Sequence, residues 1–386
     1  MPRNSVLITG ATGILGSWIL GEALSGGYNP IALMRERNVA KARARLQAVL
    51  ALVGHTAGLD KVRIVQGDAR RPNLGLDPDE AAQLASGLGM MIHCAASTSF
   101  DPGQDDDVWA TNVGGVENVL RFLDGTDVPL YHVSSAYVAG RRQGRVLETE
   151  LDMGQQFRNT YERSKCASER LVHDAIGGGR TRGAVFRPSI IAGASGTGTI
   201  AQFMNFYQFL RLIDMTSRGR NGGVQTIRME ADPAGTKNLV PVDWCAKALW
   251  AIIDAEGPSA RTYHLTNPAP ETHTRMADWA NAFLEEQNGI RLHVTEDLGE
   301  VRSRLESVYH RAIKHYLPYL EREPDFDRAN TDRALAGRLP FPETGPSYLD
   351  AIIGFAREQR WRGVFQTPAR PRRRTESLAL AADAAR

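Results

Sequence analysis

The sequence predicts an α/β protein with a doubly wound parallel sheet at its centre and a smaller, discontinuous, mostly helical portion beside it. Three observations predict it. A short apolar run, Ser5-Val6-Leu7-Ile8-Thr9, enters a glycine-rich turn, Gly10-Ala11-Thr12-Gly13-Ile14-Leu15-Gly16, and leaves it as an amphipathic segment from Ser17 to Leu24. Strand, tight turn and helix in that order are the context of a dinucleotide fingerprint. Further apolar runs of strand length alternate with helical patterns, which specifies parallel strands joined by crossover helices. Far downstream, Tyr161 and Lys165 stand one helical turn apart, so their side chains share a face.

The glycines of the first turn have separable tasks. Gly10 makes the turn, Gly13 admits a pyrophosphate to the backbone, and Gly16 lets the helix pack closely on the strand. Thr12, Ile14 and Leu15 complete the predicted cofactor-binding turn, with the helix N-terminus facing the phosphates. The second strand, Asn29 to Met34, ends in Arg35-Glu36-Arg37, where a Rossmann fold reads the ribose. An arginine there forms charge-assisted bonds to the 2′-phosphate of NADP, and the basic run Lys41, Arg43, Arg45 follows, with Arg45 as the second predicted contact. Glu36, if turned inward, favours NAD instead. The expected cofactor is therefore NADP, with NAD the alternative.

A third strand, Val62 to Gln66, leads to Asp68, whose carboxylate is placed to accept from an adenine amino group or to form a turn. The fourth, Met90 to His93, runs into Cys94-Ala95-Ala96, and the small side chains of Ala95 and Ala96 let the backbone lie against the cofactor. The fifth, Leu130 to Val133, ends in Ser134-Ser135, at the sheet edge where parallel sheets bind ligands. Tyr161 and Lys165 open the next helix. A phenol is a weak acid near pKa 10, and a neighbouring ammonium lowers that value.

These residues resemble the extended short-chain dehydrogenase/reductases, over most of the chain. The resemblance maps the family's glycine pattern onto Gly10, Gly13 and Gly16, its catalytic tyrosine and lysine onto Tyr161 and Lys165, and its catalytic serine onto Ser135, with Ser134 the alternative. It places Pro188 and Ile190 of Arg187-Pro188-Ser189-Ile190-Ile191-Ala192-Gly193 against the nicotinamide, and makes Asn112 a support of the active site. Val240-Pro241-Val242-Asp243 looks like the family's returning strand, with Asp243 a plausible N-cap. The stretch Phe157 to Lys165, Met34-Arg35, Tyr316 to Leu320, Asp325 to Asp327 and Asn330-Thr331 look most like the male-sterility or thioester-reductase branch. That branch implies NADPH-dependent reduction of an acyl thioester, on coenzyme A or an acyl carrier protein, with Lys165 biasing Tyr161, Tyr161 donating a proton and Ser135 donating to the same oxygen. A ketone or aldehyde reductase, or another enzyme of the same scaffold, is the alternative; a non-catalytic NADP sensor is disfavoured because tyrosine and lysine are both present.

Composition agrees with these expectations. Over 386 residues, Lys+Arg 46 and Asp+Glu 44 give a net charge of +2, which offers no electrostatic footprint for nucleic acid. No apolar run approaches the roughly 18 residues of a membrane span, and Met1-Pro2-Arg3-Asn4 leads straight into the first strand, so a cytoplasmic protein without stable membrane insertion is expected. Cys94, Cys166 and Cys245 lack metal spacing and read as reduced and structural. His310 and His315 miss the spacing of a helical metal pair and read as partly exposed, so no metal site is predicted. The expected division is a dinucleotide portion at 1–192 and 228–265, a substrate portion at 193–227 and 266–366, and a disordered tail at 367–386. Within the substrate portion, Ala201 to Leu210 and Met276 to Glu286 suit the wall of a pocket for an apolar chain.

Overall fold

The computed structural model describes residues 4–56, 58–204, 206–217, 224–299 and 303–363; the expected tail, and Asn205 of the predicted pocket wall, lie outside them. Its centre is a parallel sheet of seven strands: β1 (Ser5–Thr9), β2 (Asn29–Met34), β3 (Arg63–Gln66), β4 (Met90–His93), β5 (Leu130–Val133), β6 (Gly183–Pro188) and β7 (Thr262–Leu265). The spatial order is β7-β6-β5-β4-β1-β2-β3. Every neighbouring pair is parallel. The direction of winding reverses between β1 and β4, and such a switch point opens a crevice at the C-terminal ends of the strands.

Helices cover both faces. They are α1 (Ile14–Ser25), α2 (Val39–Leu52), α3 (Pro78–Ser86), α4 (Asp105–Trp109), α5 (Gly115–Phe122) and α6 (Thr160–Gly177). Side chains alternate across a strand, so Val6 and Ile8 of β1 join one core with Ile19 and Leu46, while Leu7 joins the opposite core with Val119 and Val172. Both cores are apolar, which is why the strands read as continuous hydrophobic runs. A π-helical turn, Ala110–Gly114, separates α4 from α5.

A further core gathers the later part of the chain. Its elements are α7 (Phe206–Ser217), α9 (His273–Asn288), α10 (Arg304–Ala312) and α12 (Pro346–Glu358). Two helices of this half of the chain, α8 (Val242–Glu256) and α11 (Ala329–Leu335), pack instead on the main sheet through Leu249 and Leu335. The mostly helical expectation also missed a parallel strand pair, Gln225–Glu230 with Ile290–Thr295. Ile227 and Met229 of that pair face the later core, so one strand crosses the boundary expected at 227/228.

Other differences are local. Asp243, expected as an N-cap, sits inside the first turn of α8, where Pro241 holds the cap position. Its carboxylate instead accepts from the Ser195 amide at 2.8 Å and hydroxyl at 2.6 Å. His310, expected to be partly exposed, is buried, with Nε2 2.8 Å from the Arg228 carbonyl. Among the described residues, no helix is long and apolar enough to cross a membrane, no cluster of side chains suits a metal, and the three cysteines are unpaired.

Candidate active site

The turn after β1 is shaped by contacts that exclude side chains. Gly10 has φ +70° and an added Cβ there would lie 2.8 Å from the Ala95 amide nitrogen, while one on Gly16 would lie 2.1 Å from the Gly10 carbonyl oxygen. The close approach brings the first turn of α1 over the ends of β1 and β4. Thr9 Oγ1 accepts from the Cys94 and Ala95 amides, both at 3.2 Å, which fixes the β4 end beside it. Gly13 caps α1 without a side-chain bond, and the first turn carries no acidic residue. Its amides and the positive pole of the helix are therefore available to an anion.

At the end of β2, Arg35 and Arg45 border the same crevice. Burial and the charge of Arg35 both lower the Arg45 pKa. Such like charges are relieved by an anion between them. Glu36 Oε1 accepts from the Asn38 amide at 2.9 Å, so its carboxylate is engaged in the turn entering α2. Of the other basic residues considered, Arg43 pairs with Asp60 at 2.5 Å. Asp68 borders the crevice too, but its carboxylate is held by Arg70, with Nη2 to Oδ2 at 2.8 Å. Burial alone would raise the Asp68 pKa, and the Arg70 bonds hold it below its ordinary value. Arg70, itself reaching Asp107 at 3.2 Å, was not foreseen from the sequence.

One cavity of about 720 Å³ is bordered by every residue predicted to be catalytic or to bind the cofactor. At its middle the structure brings together Ser135, Tyr161 and Lys165. Ser134 and Ser135 follow β5, but their roles separate: Ser134 Oγ donates to Glu169 Oε2 at 2.5 Å, whereas Ser135 Oγ accepts from the Tyr137 amide at 3.2 Å and borders the cavity with Tyr161. Glu169 is in turn clamped by Arg187 at 2.6 Å, with both side chains at most 1% exposed. Asn159 caps α6, accepting from the Glu162 amide at 3.0 Å. This starts the helix one residue before Tyr161. Lys165 Nζ donates to the Val133 carbonyl at 2.8 Å.

The electrostatics differ from the expectation drawn from Tyr161 and Lys165 alone. Burial pushes Tyr161 up to about 12, with the nearby Ser135 hydroxyl pulling the other way. Burial lowers Lys165 to about 8, since its charged form is desolvated. Tyr161 therefore stays protonated at neutral pH, the form that a general acid requires. Burial also pushes Cys94 up to about 12, against nucleophilic use.

Asn112 lies in the π-helical turn and is buried. Its Oδ1 accepts from the Ser97 amide at 2.8 Å, and Nδ2 donates to the Ser97 carbonyl at 3.0 Å and Ser164 Oγ at 2.9 Å. It braces the loop after β4 against α6. From that loop, Phe100 stacks on Tyr319 with centroids 4.8 Å apart and meets Tyr161 at 5.7 Å. Beyond this aromatic neck the cavity opens between Phe206, Phe209 and Leu210 of α7 and Met276, Ala277 and Ala280 of α9. Phe203, part of the same predicted apolar stretch, packs into the core against Trp361 at 6.1 Å. Phe100, Tyr137, Lys237 and His273 also line the cavity and were missed, because nothing in their sequence neighbourhoods forms a motif.

Residues 8–249 match the family described as Male sterility protein. The chain belongs to that family. It is an NAD(P)-dependent oxidoreductase of the extended short-chain dehydrogenase/reductase type. Among curated proteins it is similar to a nonribosomal peptide synthetase, asaC, of Aspergillus flavus, with 27% identity over 367 residues covering 87% of this chain and 34% of that protein. The chain thus spans about a third of that relative's length. Among solved structures it is similar to the terminal R domain from the myxalamid PKS-NRPS biosynthetic pathway, with a TM-score of 0.77, 22% identity, and coverage of 94% of this chain and 92% of that one. It also resembles a thiolation-reductase di-domain from an archaeal non-ribosomal peptide synthetase, with a TM-score of 0.72, 19% identity, and coverage of 94% and 76%. These structural similarities establish the fold.

Proposed function

We propose that the chain uses NADPH to reduce an acyl thioester, delivered on a carrier protein or coenzyme A, to an aldehyde or alcohol. One observation carries the proposal: a single cavity joins the cofactor crevice, the Ser135, Tyr161 and Lys165 cluster and an apolar chamber. The cradle at Gly10 and Gly16, the uncapped α1 N-terminus and the Arg35 and Arg45 pair fit a phosphorylated dinucleotide. When bound, it supplies a hydride to the substrate carbonyl carbon. Lys165 would hold the ribose, and Pro188 and Ile190 would border the nicotinamide. Ser135 and Tyr161 donate to the carbonyl oxygen, and Tyr161 transfers its proton as negative charge develops there. Cleavage of the C–S bond in the resulting hemithioacetal releases thiol and leaves aldehyde, and a second reduction of that aldehyde gives alcohol.

The similarity to a nonribosomal peptide synthetase and to a structure containing a thiolation domain supports a carrier-borne substrate. We assign 1–192 and 228–265 mainly to the cofactor and 193–227 and 266–366 mainly to the substrate. Three unpaired cysteines agree with a reducing cytoplasm. Following NADPH absorbance and free thiol in parallel over a panel of thioesters, aldehydes and ketones tests the function. Thiol release in step with NADPH loss is expected. Turnover of ketones with every thioester inert, carrier-bound ones included, replaces this proposal with a carbonyl reductase.

A further inference from the structure

The anion site of the cofactor crevice has a carboxylate beside it. β2 and β3 pair with Met34 opposite Gln66, and the Gly67 amide donates to the Met34 carbonyl at 2.9 Å. Arg35 and Asp68 therefore follow neighbouring strand ends, and both border the cavity with Arg45. A carboxylate so placed attracts Arg35 and repels an incoming phosphate. Yet Arg35 is exposed and, among the described residues, forms no salt bridge.

Arg70 accounts for that. Asp68 Oδ1 accepts from the Arg70 amide at 3.0 Å and from Nε at 3.1 Å, and Oδ2 accepts from Nη2 at 2.8 Å and from Nε at 3.1 Å. Both oxygens are thus turned to one residue, in the forked geometry that makes a pair of arginine and carboxylate directional. Nη1 donates to Asp107 Oδ1 of α4 at 3.2 Å, which holds the fork from its far side. The Asp68 side chain is 16% exposed and that of Arg70 36%, so water screens the pair only in part. The other acid at this end, Glu36, is engaged by the Asn38 amide. Each of the two acids that would compete for Arg35 is satisfied elsewhere.

Resting on the NADPH part of the reading above, we propose that Arg70 is a positioning residue for cofactor choice: by holding Asp68 it leaves Arg35 to the 2′-phosphate, and so favours NADPH over NADH. It acts through Asp68, whereas Arg35 is the direct ligand. Any contact of Asp68 with adenine is common to the two dinucleotides and cancels from the ratio of their affinities.

The test titrates NADPH and NADH, and the fragments 2′,5′-ADP and 5′-AMP, into the full chain at low ionic strength, where surface charges are least screened. The readout is the affinity ratio of the phosphorylated to the unphosphorylated ligand. Arg70→Ala frees Asp68 and should lower that ratio about fivefold or more, the worth of one partly exposed charge pair. Asp68→Asn alone should change it by about twofold or less, yet in the Arg70→Ala background should return it to within about twofold of the parent, a coupling that independent charges do not show. Retained NADH and 5′-AMP binding checks that each variant is folded, and Arg70→Gln takes the place of Arg70→Ala where that check fails. A ratio unaltered by Arg70→Ala overturns the role. Failure of Asp68→Asn to restore the ratio also overturns it, making Arg70 a direct phosphate ligand, as does an equal effect of Asp68→Asn in both backgrounds. The two failures are distinguishable: a parental preference for NADPH that survives Arg70→Ala removes this role alone, whereas equal affinities in the parent remove NADPH from the reading above and this role with it.

Discussion

Replacing Gly16 with alanine puts a Cβ 2.1 Å from the Gly10 carbonyl oxygen and 2.8 Å from its carbonyl carbon. Both neighbours are backbone atoms, so no side-chain rotation relieves the overlap. Restoring an ordinary contact of 3.4 Å requires α1 to recede by about 1.3 Å. Overpacking of this kind costs about 1–3 kcal/mol of stability. The larger effect is on binding, since the amides opening α1 move with the helix and hydrogen bonds fail well within that displacement. Loss of one charge-assisted bond, worth about 1.5–3 kcal/mol, weakens NADPH by roughly 10- to 150-fold. Thermal unfolding and NADPH titration measure the two effects. Gly354→Ala is the control: it lies within α12, an added Cβ meets nothing within 4 Å, and it should stabilise by about 0.5–1 kcal/mol. Unchanged melting together with NADPH binding within about twofold of the parent would refute the packing argument.

Four other outcomes are expected. Arg35→Ala should erode the preference for NADPH over NADH by about 1–3 kcal/mol; equal affinities in the parent, measured by titration, would place Glu36 at the ribose despite its bond to Asn38. Tyr161→Phe should retain NADPH binding while lowering turnover roughly 100-fold, and near-normal steady-state rates would remove Tyr161 from the acid role. Because Lys165 is lowered to about 8, its ammonium is lost as pH rises through that value, and dinucleotide affinity measured against pH should fall there. Stability runs the other way: between about pH 8 and the unfolded lysine value near 10.4 the unfolded chain binds the proton more tightly, so this group makes unfolding less favourable as pH rises. Glu169→Gln leaves the buried Arg187 charge uncompensated and should cost about 3–5 kcal/mol by denaturant unfolding, against little change if the pair contributes nothing.

The glycine turn was legible because its constraint is local: residues a few positions apart must touch, and only one residue type fits. The shared face of Tyr161 and Lys165 is equally local. Their acid strengths were not legible, since the sequence suggests the charge of Lys165 whereas burial by the surrounding fold decides the result. Ser134 and Ser135 could not be separated either. Neighbours at a strand end diverge, and that Ser134 meets Glu169 while Ser135 borders the cavity with Tyr161 becomes visible only once α6 is docked. Arg70 and Phe100 enter the cavity from loops, Lys237 from a two-residue strand and His273 from the first position of α9, places where no periodicity marks an inward side. The pair Gln225–Glu230 and Ile290–Thr295 was legible: Ile227 and Met229, and Ile290, Leu292 and Val294, alternate with polar residues as strands covering one side of a small core do.

The π-helical turn Ala110–Gly114 acts as a phase shifter between α4 and α5. Adding one residue to a helical turn advances everything beyond it by about 100° relative to an uninterrupted helix. In this chain the shift lets one helical rod serve two masters: Asp107 before the turn meets Arg70 near the nucleotide end, and Asn112 within it meets Ser97 and Ser164 near the chemistry. Excising a single residue would make the rod more regular and still rotate one of those side chains out of phase with its partner. A sequence gap at this point, harmless in an exposed loop, is therefore a mechanical change in how the two ends of the cavity are indexed to each other.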